Sequence, residues 1–455
     1  MSNVAAAPPP RTRRGVELVM LAFAVVIAVG AWANVGLAHV AHLPTNMLVY
    51  GASFAALALL AHIVVRFFAP YADPLLLPAV TLLNGIGLVL IHRLDLGDSG
   101  GTDAPMQLVW TAVGIALFVA VLVLVRDHRV LQRYTYTAGA AGLVLLAIPA
   151  LLPSAYSEVN GAKIWIRFGG FSIQPGEFAK LLLMIFFAGY LVAKRDVLSL
   201  AGRRLLLIDL PRARDLGPVL VAWGGSLCVL VFEDDLGTSL LFFGIFVAML
   251  YVATQRTSWL LIGLLLFAGG AFASSQIFGH VRERIDIWLH PWAGNNATND
   301  AYQLVQGLYG LANGGVLGTG LGQGRPNIVP FAKTDFIVAT AGEELGLTGL
   351  MAILIIYGLI VERGLRAALA ARDPFAKLLA AGLAFALALQ VFVVVGGVTR
   401  LIPLTGLTTP FLSYGGSSLV ANWALIALLM RVSDGARRPP PKPSEDDAMT
   451  QVVRR

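Results

Sequence analysis

Long apolar runs separated by short polar segments make up almost the whole chain. Each run approaches the roughly 20 residues that a helix needs to cross the hydrocarbon core of a membrane. Only helices satisfy their own backbone polar groups in such segments, so the pattern predicts an all-α polytopic membrane protein. Twelve transmembrane helices are predicted, at about 17–38, 46–68, 74–92, 106–125, 134–153, 177–193, 215–232, 237–253, 257–275, 335–361, 376–396 and 412–430.

One long polar stretch, residues 276–344, interrupts this pattern. Near its end, Asp335 lies where the polar loop returns to an apolar helix. A charge at such an edge is costly in a membrane protein, which favours a functional role for Asp335. The structural alternative is a helix N-cap, because Thr334 and Asp335 are both good capping residues.

The composition indicates a membrane protein, and the positions of the basic residues predict its topology. The chain is 57% hydrophobic and 13% charged, with a mean hydropathy of +0.76, outside the range of soluble globular proteins. With the N-terminus inside, 24 of the 33 Lys and Arg residues fall in predicted cytoplasmic segments, as the positive-inside rule expects. Both termini are therefore predicted to be cytoplasmic. The net charge of +7 mostly reflects this topology, so it does not indicate nucleic acid binding.

Polar segments from four parts of the chain are predicted to meet on the outer side of the membrane. On the topology above, one outward-facing cleft is expected to contain residues from 154–180, 233–239, 276–334 and 400–418. The Gly-rich run 318–324 is either a flexible turn or a backbone nest that approaches a phosphate. The ends of the chain, 1–15 and 433–455, are rich in Pro and charge and are predicted to be disordered and cytoplasmic.

Five sequence blocks, in order, resemble the SEDS family (shape, elongation, division and sporulation), the RodA/FtsW/SpoVE-type polymerases of bacterial cell-wall glycan. The blocks are N-G-A-K-I-W-I with Q-P-G-E-F-A-K, D-D-L-G-T-S, Y-Q-L-V-Q-G-L-Y-G-L-A-N-G-G-V-L-G-T-G-L-G-Q-G, T-D-F-I-V-A-T-A-G-E-E-L-G-L-T-G, and P-F-L-S-Y-G-G-S-S. The resemblance covers roughly residues 73–432 and implies a ten-helix core with a large extracytoplasmic loop before helix 10. Residues 16–72 are then an extra N-terminal transmembrane hairpin. L-I-P-L-T-G at 401–406 is more similar to the elongation branch, which favours a RodA-type protein over a division polymerase of the FtsW type.

The resemblance implies the reaction. The substrate is lipid II, and the 4-hydroxyl of one GlcNAc displaces undecaprenyl diphosphate from the growing strand with inversion. A sugar hydroxyl needs a general base, whereas diphosphate leaves without a second carboxylic acid, unlike the leaving group of a glycosidase. The resemblance assigns the role of base to Asp335, which agrees with the position of this charge in the sequence.

Cations are expected to hold the diphosphate groups, because Arg binds phosphate oxygens through its bidentate fork. Arg325 and Lys333 are the preferred candidates because they flank Asp335 in sequence. The full set of predicted substrate-binding residues is Arg167, Glu177, Lys180, Asp235, Arg325 and Lys333, with Arg282 and Arg284 as further outward-facing cations.

Each of these cations could instead be the ion-pair partner of a nearby carboxylate. Glu177 and Lys180 are three apart on a predicted helix and could pair with each other. Asp235 either joins helices or helps to bind a divalent cation, Mg or Mn, although no ligand spacing in the sequence requires a metal. Glu343 and Glu344 are expected to join helices through buried hydrogen bonds.

The resemblance also implies a location and partners. The location is the bacterial cytoplasmic membrane, and the partners are a class B penicillin-binding transpeptidase, other membrane proteins of the elongation complex, and membrane lipids. Three other functions stay open on the sequence: a secondary transporter, a lipid II flippase on the same scaffold, and a scaffold that activates a partner enzyme.

Overall fold

The structure is a computed structural model in which residues 12–40, 42–44, 46–97, 101–159, 161–168, 171–198 and 235–439 are described, with short pieces between 204 and 229. Its α-helices are α1 (Arg14–Val40), α2 (Met47–Phe68), α3 (Leu76–Gly97), α4 (Asp103–Leu124), α5 (Arg129–Arg133), α6 (Thr135–Leu151), α7 (Ser154–Ser157), α8 (Pro175–Leu198), α9 (Leu236–Thr254), α10 (Thr257–Ile277), α11 (Gly279–Leu289), α12 (Tyr302–Gly314), α13 (Ile337–Ala370), α14 (Pro374–Val398) and α15 (Gly416–Arg437).

Within the described residues, ten helices are long and apolar enough to cross a membrane, namely α1–α4, α8–α10 and α13–α15. The prediction of an all-α polytopic membrane protein is therefore confirmed. The predicted span 134–153 corresponds to α6, which is apolar but has only 17 residues. The predicted span 215–232 lies mostly outside the described residues.

The two ends of the helix bundle differ in character. Arg14, Asp73 and Arg437 meet where α1 begins and α15 ends, which we call the terminal end. Asp235 and Asp335 lie at the opposite end, which we call the polar end. The terminal helices extend further than the sequence indicated, since α1 begins at Arg14 and α15 ends at Arg437. Parts of both predicted tails are therefore helical, while residues 1–11 and 440–455 lie outside the described residues.

The long polar stretch is largely helical, although the sequence indicated a loop. It contains α11 and α12 together with two 3-10 turns at Asn296–Thr298 and Pro326–Ile328. The buried face of α12 packs on the first half of α13, where a Cβ at Gly314 would lie 2.1 Å from the carbonyl oxygen of Gly342. Small β-hairpins supply the remaining regular structure before α8, pairing Glu158–Val159 with Ala162–Lys163 and Ile166–Phe168 with Phe171–Ile173.

The Gly-rich run wraps around a kink in α13. Gly346, inside this helix, has φ +68°, and a Cβ there would lie 2.2 Å from the amide nitrogen of Gly318. Glu343 and Glu344 accept hydrogen bonds from this run: the amide of Gly322 donates to Glu344 at 3.0 Å, and their backbone carbonyls accept from two further amides of the run. These amides already donate to Glu343 and Glu344. The run therefore has a structural role at the kink in α13, and its interpretation as a phosphate-binding nest is not supported.

The buried carboxylates of this region also join helices, as expected. Arg93 of α3 donates to Glu344 at 2.7 Å and to the carbonyl oxygen of Gly324 at 2.7 Å. Glu343 accepts from the amide of Arg325 at 2.9 Å. The two glutamates therefore connect α3, the Gly-rich run and α13 in one network.

Candidate active site

Asp335 lies two residues before α13 and does not cap it. The N-cap position is Phe336, which supplies no side-chain hydrogen bond. The hydroxyl of Thr334 donates to the carbonyl oxygen of Phe331 at 3.2 Å. The structure therefore does not support the N-cap interpretation, and the Asp335 carboxylate remains available for another role.

The loop before α15 fixes the backbone of the two residues that precede this aspartate. The hydroxyl of Ser413 donates to the carbonyl oxygen of Thr334 at 2.6 Å. The amide of Tyr414 donates to the carbonyl oxygen of Lys333 at 2.7 Å. A Cβ added at Gly406 would lie 3.9 Å from Oδ2 of Asp335, so the same chain segment also faces the carboxylate.

Asp235 is the second carboxylate at this place, and it has a different role. It is the N-cap of α9 and accepts hydrogen bonds from the amide of Thr238, at 2.9 Å, and from the Thr238 hydroxyl. It is buried, with 6% of its surface exposed. Burial raises the pKa of Asp235, while the hydrogen bonds from Thr238 and the charge of Arg284 oppose this rise.

Arg284 of α11 is a cation whose charge acts on both carboxylates. Its Nη1 donates to the carbonyl oxygen of Leu404 at 3.3 Å. Burial raises the pKa of both Asp335 and Asp235, and the charge of Arg284 opposes this rise at both residues. Among the described residues, no ion pair within 4.0 Å joins it to either one, so part of its hydrogen-bonding capacity is left for a ligand.

The pKa of Asp335 is raised from 3.8 to about 7. Burial of the carboxylate is the largest cause; the charge of Arg284 opposes it, and the charge of Asp235 adds to it. Asp335 is nevertheless half-buried, so a substrate can reach it. A reachable carboxylate with a pKa near neutrality has the properties of a general base.

Two predicted site residues, Glu177 and Lys180, belong to a buried chain of hydrogen bonds. Lys180, 2% exposed, donates to Glu177 at 2.7 Å and to Gln390 at 2.8 Å. Gln390 donates in turn to the carbonyl oxygen of Thr408 at 3.0 Å. The pair predicted from the helical spacing is present, and it connects α8 and α14 to the segment that faces Asp335.

The other predicted cations lie in different settings. The ammonium of Lys333 is within 2.8 Å of Asp95 and 2.9 Å of Asp103, so two carboxylates already hold it. Arg325 and Arg167 are exposed. Neither makes a side-chain ion pair within the described part of the chain, so both are accessible to an anionic ligand.

Sequence reasoning placed Arg284 below Arg325 and Lys333 as a candidate cation of the site. It was one of several outward-facing cations, and proximity to Asp335 in sequence favoured Arg325 and Lys333 instead. Its location in a charged, polar helix was the only signal available. Within the described residues, no group of three or more His, Cys, Asp or Glu side chains could hold a metal ion.

Comparisons with known proteins agree with the five sequence blocks. The sequence model of a family described as cell cycle protein, named for FtsW, RodA and SpoVE, matches residues 73–438. The chain is 56% identical over 441 residues to the peptidoglycan glycosyltransferase RodA of Mycobacterium tuberculosis, covering 96% of this chain and 94% of that protein. Because that alignment spans nearly the whole chain, it includes most of the hairpin formed by α1 and α2. The stage V sporulation protein E of Bacillus subtilis is 32% identical over 80% of this chain and 98% of its own length.

Solved structures show the same fold. The rod shape determining protein RodA of Thermus thermophilus superposes with a TM-score of 0.56 at 25% identity, covering 81% of this chain and 98% of that one. A chain from a peptidoglycan synthase complex, described as coordinating polymerisation and crosslinking, gives a TM-score of 0.56 at 27% identity over 84% of this chain and 96% of its own. The prediction made from the sequence blocks is confirmed: this chain belongs to the SEDS family of FtsW, RodA and SpoVE cell cycle proteins and is of the RodA type.

Proposed function

We propose that this chain is a peptidoglycan glycosyltransferase that polymerises lipid II into β-1,4 glycan strands, with Asp335 as its general base. The observation that carries the assignment of the base is a half-buried carboxylate with a pKa of about 7, beside the cation Arg284. The reaction class is supported by RodA relatives that carry this name at 56% identity over 96% of the chain.

In the proposed reaction, Asp335 takes the proton from the 4-hydroxyl of the acceptor GlcNAc. The hydroxyl oxygen bonds to the anomeric carbon of the donor as the bond from that carbon to the diphosphate oxygen breaks. Undecaprenyl diphosphate leaves with the electron pair, and the α-linked donor becomes a β-linked product. A base with a pKa near the working pH is both ionised and basic enough to accept this proton.

Arg284 is best placed to stabilise the charge that develops on the leaving diphosphate, because it lies near Asp335 and has no ion-pair partner within 4.0 Å among the described residues. A fixed cation at such a position stabilises the transition state electrostatically. Arg325 and Arg167 are exposed at the same end and would contact more distant phosphates. Lys333 would position the loop through Asp95 and Asp103.

Two further residues have supporting roles in this proposal. Asp235 caps α9 and adds negative charge near Asp335. Its carboxylate accepts two hydrogen bonds from Thr238, which leaves lone pairs that would help to bind a divalent cation, Mg or Mn, if the reaction uses one. The chain from Glu177 through Lys180 and Gln390 would hold the segment facing Asp335 in place.

The proposed location is the bacterial cytoplasmic membrane, with both termini cytoplasmic and the polar end on the outer face. The presence of 24 of the 33 basic residues in predicted cytoplasmic segments supports this orientation. The proposed partner is a class B penicillin-binding transpeptidase that crosslinks the new strands during elongation. The neighbouring structure whose description joins polymerisation with crosslinking supports that pairing.

The test compares glycan-strand formation from lipid II by wild type and by Asp335→Asn, each purified with its transpeptidase partner. We expect long strands from wild type and none from the folded variant, because an amide cannot accept the proton. Strands from both proteins would make Asp335 structural and direct attention to Asp235 and Glu177. If neither makes strands although both bind lipid II, the protein is a flippase or a scaffold.

A further inference from the structure

A basic cavity opens at the terminal end, on the side of the bundle opposite Asp335. Its volume is about 830 Å³, and it lies between the N-terminal hairpin and the core. The start of α1, the end of α2, the segment before α3, the second half of α13 and the end of α15 all contribute to it. Its lining cations are Arg13, Arg14, Arg66, Arg363 and Arg437.

The positive charge of this cavity is only partly neutralised. Among the described lining residues Asp73 is the one carboxylate, and it pairs with Arg437 and lies 3.8 Å from Arg363, which also pairs with Glu362 at 3.0 Å. Arg14 is buried and pairs with Glu17 behind the wall.

The two remaining cations, Arg13 and Arg66, are exposed. Neither forms an ion pair with any residue in the described part of the chain. The cavity therefore offers at least two arginine side chains to an anion, and Arg suits phosphate oxygens through its planar fork.

Part of the rim of the cavity is apolar. Val16, Met20 and Leu75 line it. Val19 and Phe67 next to it are 56% and 74% exposed. Helix ends of this kind lie at headgroup level, where Lys and Arg meet anionic lipid and neighbouring apolar side chains meet acyl chains. A small soluble anion would need the cations but not the apolar rim.

We propose that this cavity binds the phosphate headgroup of an anionic phospholipid, with its acyl chains along the exposed faces of α1 and α2. The lipid would join the hairpin to the core, since Arg13 and Arg66 belong to the hairpin while Arg363 and Arg437 belong to the core. This inference rests on the cavity and on the membrane location, and it does not depend on the reaction at Asp335.

The experiment measures lipid binding to the full-length protein in detergent by native mass spectrometry. Dioleoylphosphatidylglycerol is titrated in one arm and dioleoylphosphatidylcholine in a second, and inorganic phosphate competes in a third. The test variant is Arg13→Gln/Arg66→Gln. The matched control is Lys194→Gln/Arg195→Gln, which removes the same charge near the end of α8, at the same end of the bundle but outside the cavity.

We expect wild type to retain phosphatidylglycerol in preference to phosphatidylcholine. The test variant should bind phosphatidylglycerol roughly 30-fold more weakly, since each Lys or Arg near an anionic lipid surface contributes about 1 kcal/mol. The control should bind as wild type does. Arg13→Lys/Arg66→Lys should keep most of the affinity, which separates loss of charge from loss of folding.

Three results would overturn the proposal. Equal retention of the two lipids would remove the anionic preference. Equal weakening in the test and control variants would indicate a diffuse electrostatic effect of the whole surface. Full displacement of the lipid by millimolar inorganic phosphate would identify a site for small anions rather than for a phospholipid.

Discussion

Arg284→Gln removes the cation whose charge holds down the pKa of Asp335. In wild type, burial raises this pKa to about 7 against the opposing charge of Arg284. Without that charge the pKa of Asp335 should rise further, so that a smaller fraction of the protein carries an ionised base at neutral pH. The acidic limb of the pH–rate profile is therefore expected to move to higher pH.

The size of the effect follows from the geometry. An opposite charge within about 4–6 Å lowers a carboxyl pKa by roughly 1–3 units. Arg284 is half-buried and makes no ion pair within 4.0 Å among the described residues, so the low end of that range, about one unit, applies. From a starting pKa of about 7, the ionised fraction at pH 7 would fall from about a half to about a tenth, a roughly fivefold loss of rate. Well above that pH this part of the loss should disappear, and only the loss of the stabilisation that Arg284 gives the leaving diphosphate should remain.

The assay is the initial rate of glycan polymerisation from lipid II, measured across the pH range for wild type and variants. Arg284→Lys keeps the charge and should leave the acidic limb near its wild-type position. Asp235→Ser retains an N-capping side chain but removes a negative charge that raises the pKa of Asp335, so its limb should move to lower pH. A limb that stays in place in Arg284→Gln, or an equal loss at every pH, would refute this electrostatic account and leave Arg284 with a role in substrate binding alone.

Two further predictions concern stability. Asp335→Asn should unfold at a higher temperature than wild type above neutral pH, because a carboxyl whose folded pKa is raised from 3.8 to about 7 destabilises the fold when it ionises. The advantage should grow between about pH 4 and pH 7, reach at most about 4 kcal/mol and then stay constant; a difference that does not change with pH would contradict the raised pKa. Gly346→Ala should cost more than about 2 kcal/mol, since its φ is +68° and its Cβ would lie 2.2 Å from the amide nitrogen of Gly318. Gly358→Ala in the same helix meets nothing within 4 Å and should be tolerated; equal thermal unfolding temperatures for these two glycine variants would show that the kink is not needed.

Much of the fold could be predicted from the sequence because lipid leaves few options. A run of about 20 apolar residues must form a helix in a membrane. The ten spanning helices found in the described residues begin and end within about five positions of the predicted runs, except that α13 extends to Ala370 and α15 to Arg437. The sequence was less informative for the polar stretch 276–344. There, α11 and α12 are short and mixed in polarity, so their helical structure depends on packing against the bundle as well as on local pattern.

The sequence by itself determined the family, the helical membrane fold and the position of Asp335 at the edge of a span. Only the tertiary structure decided which cation lies beside that carboxylate. Lys333 is two residues away in sequence but is held by Asp95 and Asp103, whereas Arg284, on a separate helix, acts on Asp335 through its charge. The physical reason is that membrane insertion depends on the hydropathy of each segment, while electrostatic partners depend on distances between side chains of different helices, which packing alone determines.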